Sequence, residues 1–529
     1  MGLGARFHFH RRLFWSALQS RMTCFYPAAG LVRPMALTSR SVSRWWSDSK
    51  TSNPKAATRT RQCSRGVLAM TENLVRPWEA VDYQELMRMY APAPDYFNSS
   101  YLDSPADIEA VQLERLKAKV HRASKVPFFR DRWAKAGVGP DDLRSIKDLS
   151  RFPTYTVDDI RKSIDDHPPF GDYQGVVPSD ATRQPMRVFM SGGTTGKSRP
   201  TFYTQWDRDV GALLTARALY MQGIRPGDVV LNSWAYGLHN GAFSFDEALA
   251  RWLNCVVLTT STGNVTSTER QVELAIEYGA SAICTTGDYL LRIAEAARAL
   301  GYDPKVDLKL RALPNIGDPE VLSETFGVEY FKSYGFHEVQ WVAVECPAHD
   351  GLHIFEDAYI VQVVDTETGE ELPDGELGAV VVTELYKTGS SQFRYNIMDL
   401  SFLHPRGQCE CGSWLRRMGP FAGRGDNMVK LRGINLWPEG VGEVACAVEG
   451  IDPDYFVRVW RDGNRDEMEI AVVSHRDPAM FGSQQSELEA VLNQRFGVRI
   501  HAKVVAAGAL DSDTELHTSP KSKRFRDER

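Results

Sequence analysis

Cysteine is scarce in this chain, with 8 in 529 residues, at positions 24, 63, 255, 284, 346, 409, 411 and 446. So few thiols over such a length argue against a disulfide framework and leave metal binding or free thiols as their uses. Long apolar runs are lacking too. None approaches the roughly 18 residues that a membrane span requires, so the chain reads as a protein that works in water, inside the cell. Positive charge is missing from most of its length. The formal net charge is −6, but residues 1–69 hold ten Arg and two Lys against one acid, Asp48, which leaves 50 basic and 67 acidic residues beyond, a net near −17. A broad nucleic-acid surface needs Lys and Arg to displace phosphate counterions. The acidic body therefore points to small molecules, in a chain long enough for at least two domains.

What is present begins with that basic segment. Residues 1–69 are rich in Arg, Ser and Thr, include Trp45 and Trp46, and show no sustained apolar period. This is the composition of an organellar transit peptide. It equally suits upstream sequence ahead of a natural start at Met70, which opens Met-Thr-Glu-Asn-Leu-Val-Arg-Pro-Trp. The location is cytoplasmic on the second reading, and mitochondrial or in another organelle on the first. Beyond it, Ser104-Pro-Ala-Asp107 predicts a capped helix start, with Leu113, Leu116 and Val120 on one face. Short apolar runs at 228–232 and 255–259 alternate with helical segments at 269–279 and 289–300, an α/β pattern. Late in the chain, alternating residues at 455–460 and 468–473, a helix ending at Gly497 and a strand near 499–505 predict a compact second domain of about 100 residues.

The most informative stretch is Ser191-Gly-Gly-Thr-Thr-Gly-Lys-Ser198. Glycines let backbone amides approach an anion, hydroxyls donate further hydrogen bonds and Lys197 adds charge. The loop should bind phosphate, although a plain surface turn of small polar residues is the alternative. A nucleotide-hydrolysing P-loop would need Gly where Ser191 stands, and a P-loop NTPase remains a rival on this evidence. Cys346 and His353, with Cys409 and Cys411, form two half-sites whose four nitrogen and sulfur ligands suit tetrahedral structural Zn²⁺. His349 competes with His353 for that role, and a metal-free group of buried thiols is the plainer reading.

Several motifs in order, from about residue 95 to the end, resemble the adenylate-forming enzyme superfamily. They are the loop above, Tyr334-Gly-Phe-His-Glu338, Arg394-Tyr-Asn-Ile-Met-Asp399, Gly423-Arg-Gly-Asp426 with Met428–Pro438, and the terminal Lys521-Ser-Lys-Arg-Phe-Arg-Asp-Glu-Arg529. Val126-Pro-Phe-Phe-Arg130, Ala235-Tyr-Gly-Leu238, Gly317-Asp-Pro319 and Cys346–Asp357 are similar to phenylacetate-CoA ligases within it. The resemblance implies an α/β fold with a large multi-sheet adenylation domain, residues 70–423, and a small mobile α+β domain, residues 424–529. It implies a two-step reaction: ATP and a carboxylic acid give an acyl adenylate and pyrophosphate, and the acyl group then passes to coenzyme A with release of AMP. Transfer to a carrier-protein pantetheine and a non-catalytic nucleotide binder of the same fold are the alternatives, and a homodimer is left open.

Residue by residue, the resemblance implies that Ser191, Gly192, Gly193, Thr194, Thr195, Gly196 and Lys197 cradle the phosphates. Gly317, Asp318, Pro319, Tyr334 and Gly335 line the nucleotide, Tyr334 stacking on adenine. Asp399 accepts from the ribose hydroxyls, Arg424 contacts the nucleotide, and Glu338 holds Mg²⁺, a hard cation suited to carboxylate and phosphate oxygens. Lys521 bridges the carboxylate and the α-phosphate, with Lys523 as its alternative, and Asp426 is the hinge. Some ligases of this kind carry the zinc site. Trp234, Tyr236 and His239 fall on the acyl-substrate segment. The chain departs from the pattern at His337, where Thr or Ser is usual, at Asn427, where a second Asp is common, at His239, where Phe is often found, and at Thr285–Tyr289. A polar residue at 239 predicts an aromatic or hydroxyaromatic acid with a polar function, because an apolar pocket should not hold an imidazole without a partner.

Overall fold

The computed structural model describes residues 75–98, 104–191, 198–314, 319–432, 434–462, 465–515 and 523–529. The basic segment lies outside them, as do Gly192, Gly193, Thr194, Thr195, Gly196, Lys197, Gly317, Asp318 and Lys521. Residues Val75–Arg529 form one compact unit.

The first long helix, α1 (Pro105–Ala123), starts as its sequence predicts, with the Ser104 hydroxyl accepting from the Asp107 amide and Pro105 in the first turn. Its inner face differs from the apolar stripe. Leu116 and Val120 are buried, but so are Gln112 and Lys119. Lys119 is fully enclosed, paired with Glu384 and donating to the Ser391 hydroxyl at 3.1 Å. A buried charge survives only when paired and hydrogen-bonded, and the pairing residues lie more than 260 positions away, where no local pattern records them.

Strands β1 (Met186–Ser191) and β2 (Arg199–Thr204) pair antiparallel, with Ser191 opposite Arg199. The glycine-rich loop thus joins two antiparallel strands. A P-loop leads from a strand into a helix, so this topology separates the chain from that class. After β2, Thr204 caps α2 (Gln205–Met221), and the Thr204 hydroxyl and the Asp207 carboxylate satisfy each other's amides. Then β3 (Val229–Asn232), β4 (Val256–Leu258) and β5 (Ala282–Cys284) make a parallel sheet in the order β4-β3-β5, crossed by α3 (Thr268–Glu277) and α4 (Gly287–Ala299). The α/β expectation for this region holds.

Helix α5 (Pro319–Phe326) precedes β6 (Ser333–Phe336), β7 (Gln340–Glu345) and β8 (Leu352–Ile354), which join β12 (Arg417–Met418) in a four-stranded sheet. A second antiparallel sheet holds β9 (Tyr359–Val364), β10 (Gly378–Glu384) and β11 (Tyr395–Ser401). From Val429, where β13 (Val429–Leu431) and β14 (Ile434–Leu436) pair antiparallel, the chain builds a core of its own, led by Leu431, Val441, Val457, Ile470, Leu488 and Ile500. Its main sheet pairs β15 (Ile451–Asp462) with β16 (Arg465–Ser474), and adds β17 (His501–Val505) and β18 (Phe525–Asp527) at the edges. The packing helix Phe481–Phe496 ends at Gly497 with φ +68°, a left-handed turn that glycine adopts without steric cost. Among the described residues no helix is long and apolar enough to cross a membrane.

Candidate active site

The site assembles around the turn between β6 and β7. Gly335 stands where the strands close: a Cβ there would lie 2.1 Å from the Gln340 carbonyl oxygen, so only glycine allows the approach. The two residues at the tip of the turn are clamped by their backbone. The Tyr203 hydroxyl and the Asn240 amide donate to the His337 carbonyl at 2.8 and 2.7 Å, and the Lys387 ammonium donates to the Glu338 carbonyl at 2.7 Å. Lys387 is fully buried and packs over the Tyr203 ring at 3.7 Å. Burial pulls its pKa down to about 8, against the opposing pull of Asp207, Glu384 and Glu338. Three separate segments therefore fix this turn. No local pattern marks the clamp, since a buried Lys in a loop looks like any solvated one.

Glu338 is buried, and its carboxylate meets the Arg199 guanidinium at 3.3 Å. Arg199 follows the glycine-rich loop directly, so Glu338 faces the mouth of the hairpin. At that mouth the buried Ser191 hydroxyl has no hydrogen-bond partner among the described residues. A buried hydroxyl left unpaired calls for a ligand or water, which suits a phosphate oxygen. A single carboxylate beside phosphate oxygens also suits Mg²⁺, which keeps part of its water shell and takes few protein ligands.

Tyr334, Asp399 and Arg424, far apart in sequence, come together. The Tyr334 hydroxyl donates to Asp399 Oδ2 at 2.9 Å, and Arg424 Nη1 donates to Oδ1 at 3.2 Å. Asp399 and Arg424 also share an isolated antiparallel bridge. Tyr334 is 5% exposed; burial, and then the Asp399 charge, raise its pKa well above the usual phenol value. The Tyr334 ring thus serves first to orient Asp399, a role the sequence did not suggest. Tyr334→Phe, which removes one hydrogen bond from a largely buried carboxylate, should raise the KM for ATP about 5–10-fold and leave kcat within about 2-fold. Steady-state kinetics at saturating acid check it; an unchanged KM contradicts the arrangement.

The predicted acyl segment lies against the hairpin, with the Met190 amide donating to the Leu238 carbonyl at 2.8 Å. Trp234 stacks on Phe245 at 5.8 Å. The Tyr236 hydroxyl is engaged by Asn232 at 2.9 Å and donates to Asp246 at 3.1 Å, which makes it a scaffold group. His239 is exposed and stands edge-on to His337, ring centroids 5.5 Å apart. The two unusual histidines of the sequence thus meet in space.

At the hinge motif, Asp426 falls in the short turn Gly425–Asn427, its side chain outside the described set. Asn427 donates to Glu439 at 2.9 Å. An Asp there would oppose the Glu439 carboxylate, which accounts for the departure. Pro319 begins α5 beside a cavity of about 300 Å³ that Lys332, Glu345 and His349 also line. The alternative to Lys521 is tied up elsewhere: Lys523 pairs with Glu515 at 2.5 Å, and β18 runs parallel to β15. The tail after residue 522 is therefore a strand of the sheet.

Cys346, His353, Cys409 and Cys411 bring one ligand atom each to within 4.8 Å of one another. Cys346 Sγ to Cys409 Sγ is 3.7 Å, and Cys411 Sγ to His353 Nε2 is 3.6 Å. Tetrahedral Zn²⁺ with bonds of about 2.3 Å to sulfur and 2.0 Å to nitrogen sets these edges at roughly 3.8 and 3.6 Å, so the donor set fits the metal. His349 does not belong to it: its ring meets Glu329 at 2.9 Å and Glu345 at 3.1 Å and stacks on Phe331.

A family model for the AMP-binding enzyme C-terminal domain matches residues 433–529. The chain is 33% identical over 414 residues to the phenylacetate-coenzyme A ligase of Pseudomonas putida, spanning 75% of this chain and 90% of that one. It is 36% identical over 375 residues to the phenylacetate-coenzyme A ligase of Thermus thermophilus, spanning 69% and 81%. Among solved structures it is similar to 2-hydroxyisobutyryl-CoA ligase in the postadenylation state, with a TM-score of 0.72, 24% identity and coverage of 87% of this chain and 97% of that one. The same ligase in the thioesterification state gives a TM-score of 0.59 over the same shares. These structures share the fold of the chain.

Proposed function

The chain belongs to the phenylacetate-coenzyme A ligase family of adenylate-forming enzymes, and from that premise we propose that it activates an aromatic carboxylic acid with ATP and passes the acyl group to coenzyme A, releasing AMP and pyrophosphate. The observation that carries the reading is the meeting, at one turn, of a buried carboxylate, the mouth of a glycine-rich hairpin and the Tyr334–Asp399–Arg424 group.

The chemistry sets what each residue does. A carboxylate must attack the α-phosphorus of ATP while charge gathers on the departing pyrophosphate, so anions have to be held close and neutralised. Ser191 and the loop through Lys197 hold the β- and γ-phosphates. Asp399, oriented by Tyr334 and Arg424, accepts from the ribose hydroxyls, and the Tyr334 edge bounds the adenine. Glu338 would hold Mg²⁺, which supplies charge neutralisation to the phosphates when bound. Lys521 bridges the acid and the α-phosphate. Arg199 and Lys387 keep the Glu338 turn in place. The separate core beyond Val429 supports a small domain that turns about Asp426 between the two steps, since adenylation and thioester formation need different groups at one acyl centre. Cys346, His353, Cys409 and Cys411 would hold a structural Zn²⁺ that pins two loops together and leaves no open position for chemistry.

Acid-dependent exchange of labelled pyrophosphate into ATP, read over a panel of aryl, hydroxyaryl and aliphatic acids before coenzyme A is added, tests the first step. Exchange with an aryl acid is expected. Exchange with none of the panel contradicts the reading.

A further inference from the structure

One buried amide ties together the segments that leave three strands. Strands β3, β4 and β5 run parallel, with Leu231 beside Leu258 and Asn232 beside Cys284, so all three finish at one edge of their sheet. In open parallel sheets, ligands bind in the crevice outside the carboxyl ends of the strands. Gln271, near the start of α3, is wholly buried at this edge. Its Oε1 accepts from the Ser233 hydroxyl at 2.7 Å and from the Thr260 hydroxyl at 3.5 Å. Its Nε2 meets the Ser261 and Thr266 carbonyls at 3.1 and 2.8 Å and the Tyr289 hydroxyl at 3.1 Å. The segment after β3, the loop after β4 and the helix after β5 thus share a single side chain.

The backbone around this hub is fixed closely. Ser261 has φ +59°, a left-handed conformation that a residue with a side chain keeps only where its surroundings hold it. Its amide donates to the Asn232 carbonyl at 3.1 Å, which ties the loop to the end of β3. Gly263 packs onto Tyr289, and a Cβ there would lie 2.8 Å from the phenol oxygen. Tyr289 is placed in turn by Thr286, whose hydroxyl accepts from the Tyr289 amide at 3.3 Å, and by the Thr268 hydroxyl at 3.1 Å. The departure from the family pattern at Thr285–Tyr289 therefore falls on the hub.

What leaves this edge is the acyl segment. Ser233 directly precedes Trp234, and its amide donates to the Cys284 carbonyl at 2.9 Å. The far end of the segment is tied to β1 through Leu238. A segment held at both ends shifts along its length when one end is released, whereas the Tyr334–Asp399 pair hangs on β6 and β11, in other sheets. Resting on the ligase reading above, we infer that Gln271 is a positioning residue for the acid: through the Ser233 hydroxyl it sets the segment from Trp234 to His239, and the loops after β4 and β5 belong to the acyl end of the site. A small displacement of a positioned substrate is costly to the reaction.

The test uses the full-length protein in the pyrophosphate exchange assay with an aryl acid that supports exchange, each substrate varied while the other saturates. Gln271→Met, close in volume and without hydrogen-bonding groups of comparable strength, should raise the KM for the acid at least about 10-fold and leave the KM for ATP within about 2-fold. Ser233→Ala, which removes one hydroxyl and spares the bonds to the loop after β4, should raise the KM for the acid about 3- to 5-fold, and it serves as the deciding variant if Gln271→Met does not fold. In the double variant the KM for the acid should match that of Gln271→Met, because both act through one bond. An unchanged KM for the acid in Ser233→Ala overturns the inference. So do a KM for ATP that rises in step with that for the acid, which marks a purely structural glutamine, and effects that multiply in the double variant. Absence of exchange with every acid by the unaltered protein strikes instead at the ligase reading itself.

Discussion

Lys521→Ala should abolish acid-dependent ATP–pyrophosphate exchange, lowering its rate by at least about 100- to 1000-fold, the scale seen when a group that neutralises developing charge is removed. Formation of the thioester from a supplied acyl adenylate and coenzyme A should stay within about 3-fold of the unaltered rate. The split is the informative part. In the first step the carboxylate approaches the α-phosphate, two anions that repel unless a cation bridges them. In the second step the adenylate already exists, and a thiol displaces AMP with no such encounter. Lys523 offers no substitute, because Glu515 holds it. The strand that follows, Phe525–Asp527, is fastened to β15, and Arg526 and Arg529 pair with Asp513 and Asp466. Residues 523–529 thus lie along a fixed edge of the small domain. Equal loss in both steps would mean that the variant had lost the small domain; unimpaired exchange would place the bridging charge elsewhere.

The second large effect concerns metal. Purified protein should contain about one zinc per chain, and Cys409→Ser should reduce this to a small fraction. The four ligands join segments more than 50 residues apart, at Cys346–His353 and Cys409–Cys411, so their loss should loosen the β8–β12 edge, where Arg417 pairs with His353 in register. The domain has a large apolar core besides, and metal loss should therefore lower Tm by roughly 5–10 °C without preventing folding. Cys446→Ser, which alters a half-buried thiol outside the set, should change neither zinc content nor Tm. Protein that is metal-free as purified, and as stable after chelation as before, would show a plain cluster of thiols.

Much of this architecture was legible because local chemistry writes it. The Ser104 cap, the strands flanking residue 463 and the glycine that stops the helix at 497 each sit within a few residues of their cause. The unforeseen features all depend on partners distant in sequence. Lys119 reads as one more surface charge on an amphipathic helix until Glu384 is brought to it. His349 and His353 have equal claims on a metal until folding turns one toward Glu329 and Glu345 and the other toward the thiols. Tyr334 carries the mark of a nucleotide contact, while its hydroxyl bond to Asp399 requires the β6 and β11 strands to be in place. The two histidines that stood out singly as departures gain meaning only by meeting. The antiparallel pairing of the strands on either side of the glycine-rich loop settles by topology a rivalry that the spacing had narrowed to one residue.

The central claim is that ATP is split at the α-phosphate and the acyl group ends on coenzyme A. Phosphorus NMR of a mixture of the protein, ATP, Mg²⁺, an acid shown to support exchange and coenzyme A, followed by chromatography of the thioesters, tests it most directly. The account predicts AMP, pyrophosphate and acyl-CoA in equal amounts, with no turnover when the acid is omitted. ADP and inorganic phosphate, or AMP without a thioester, would contradict it.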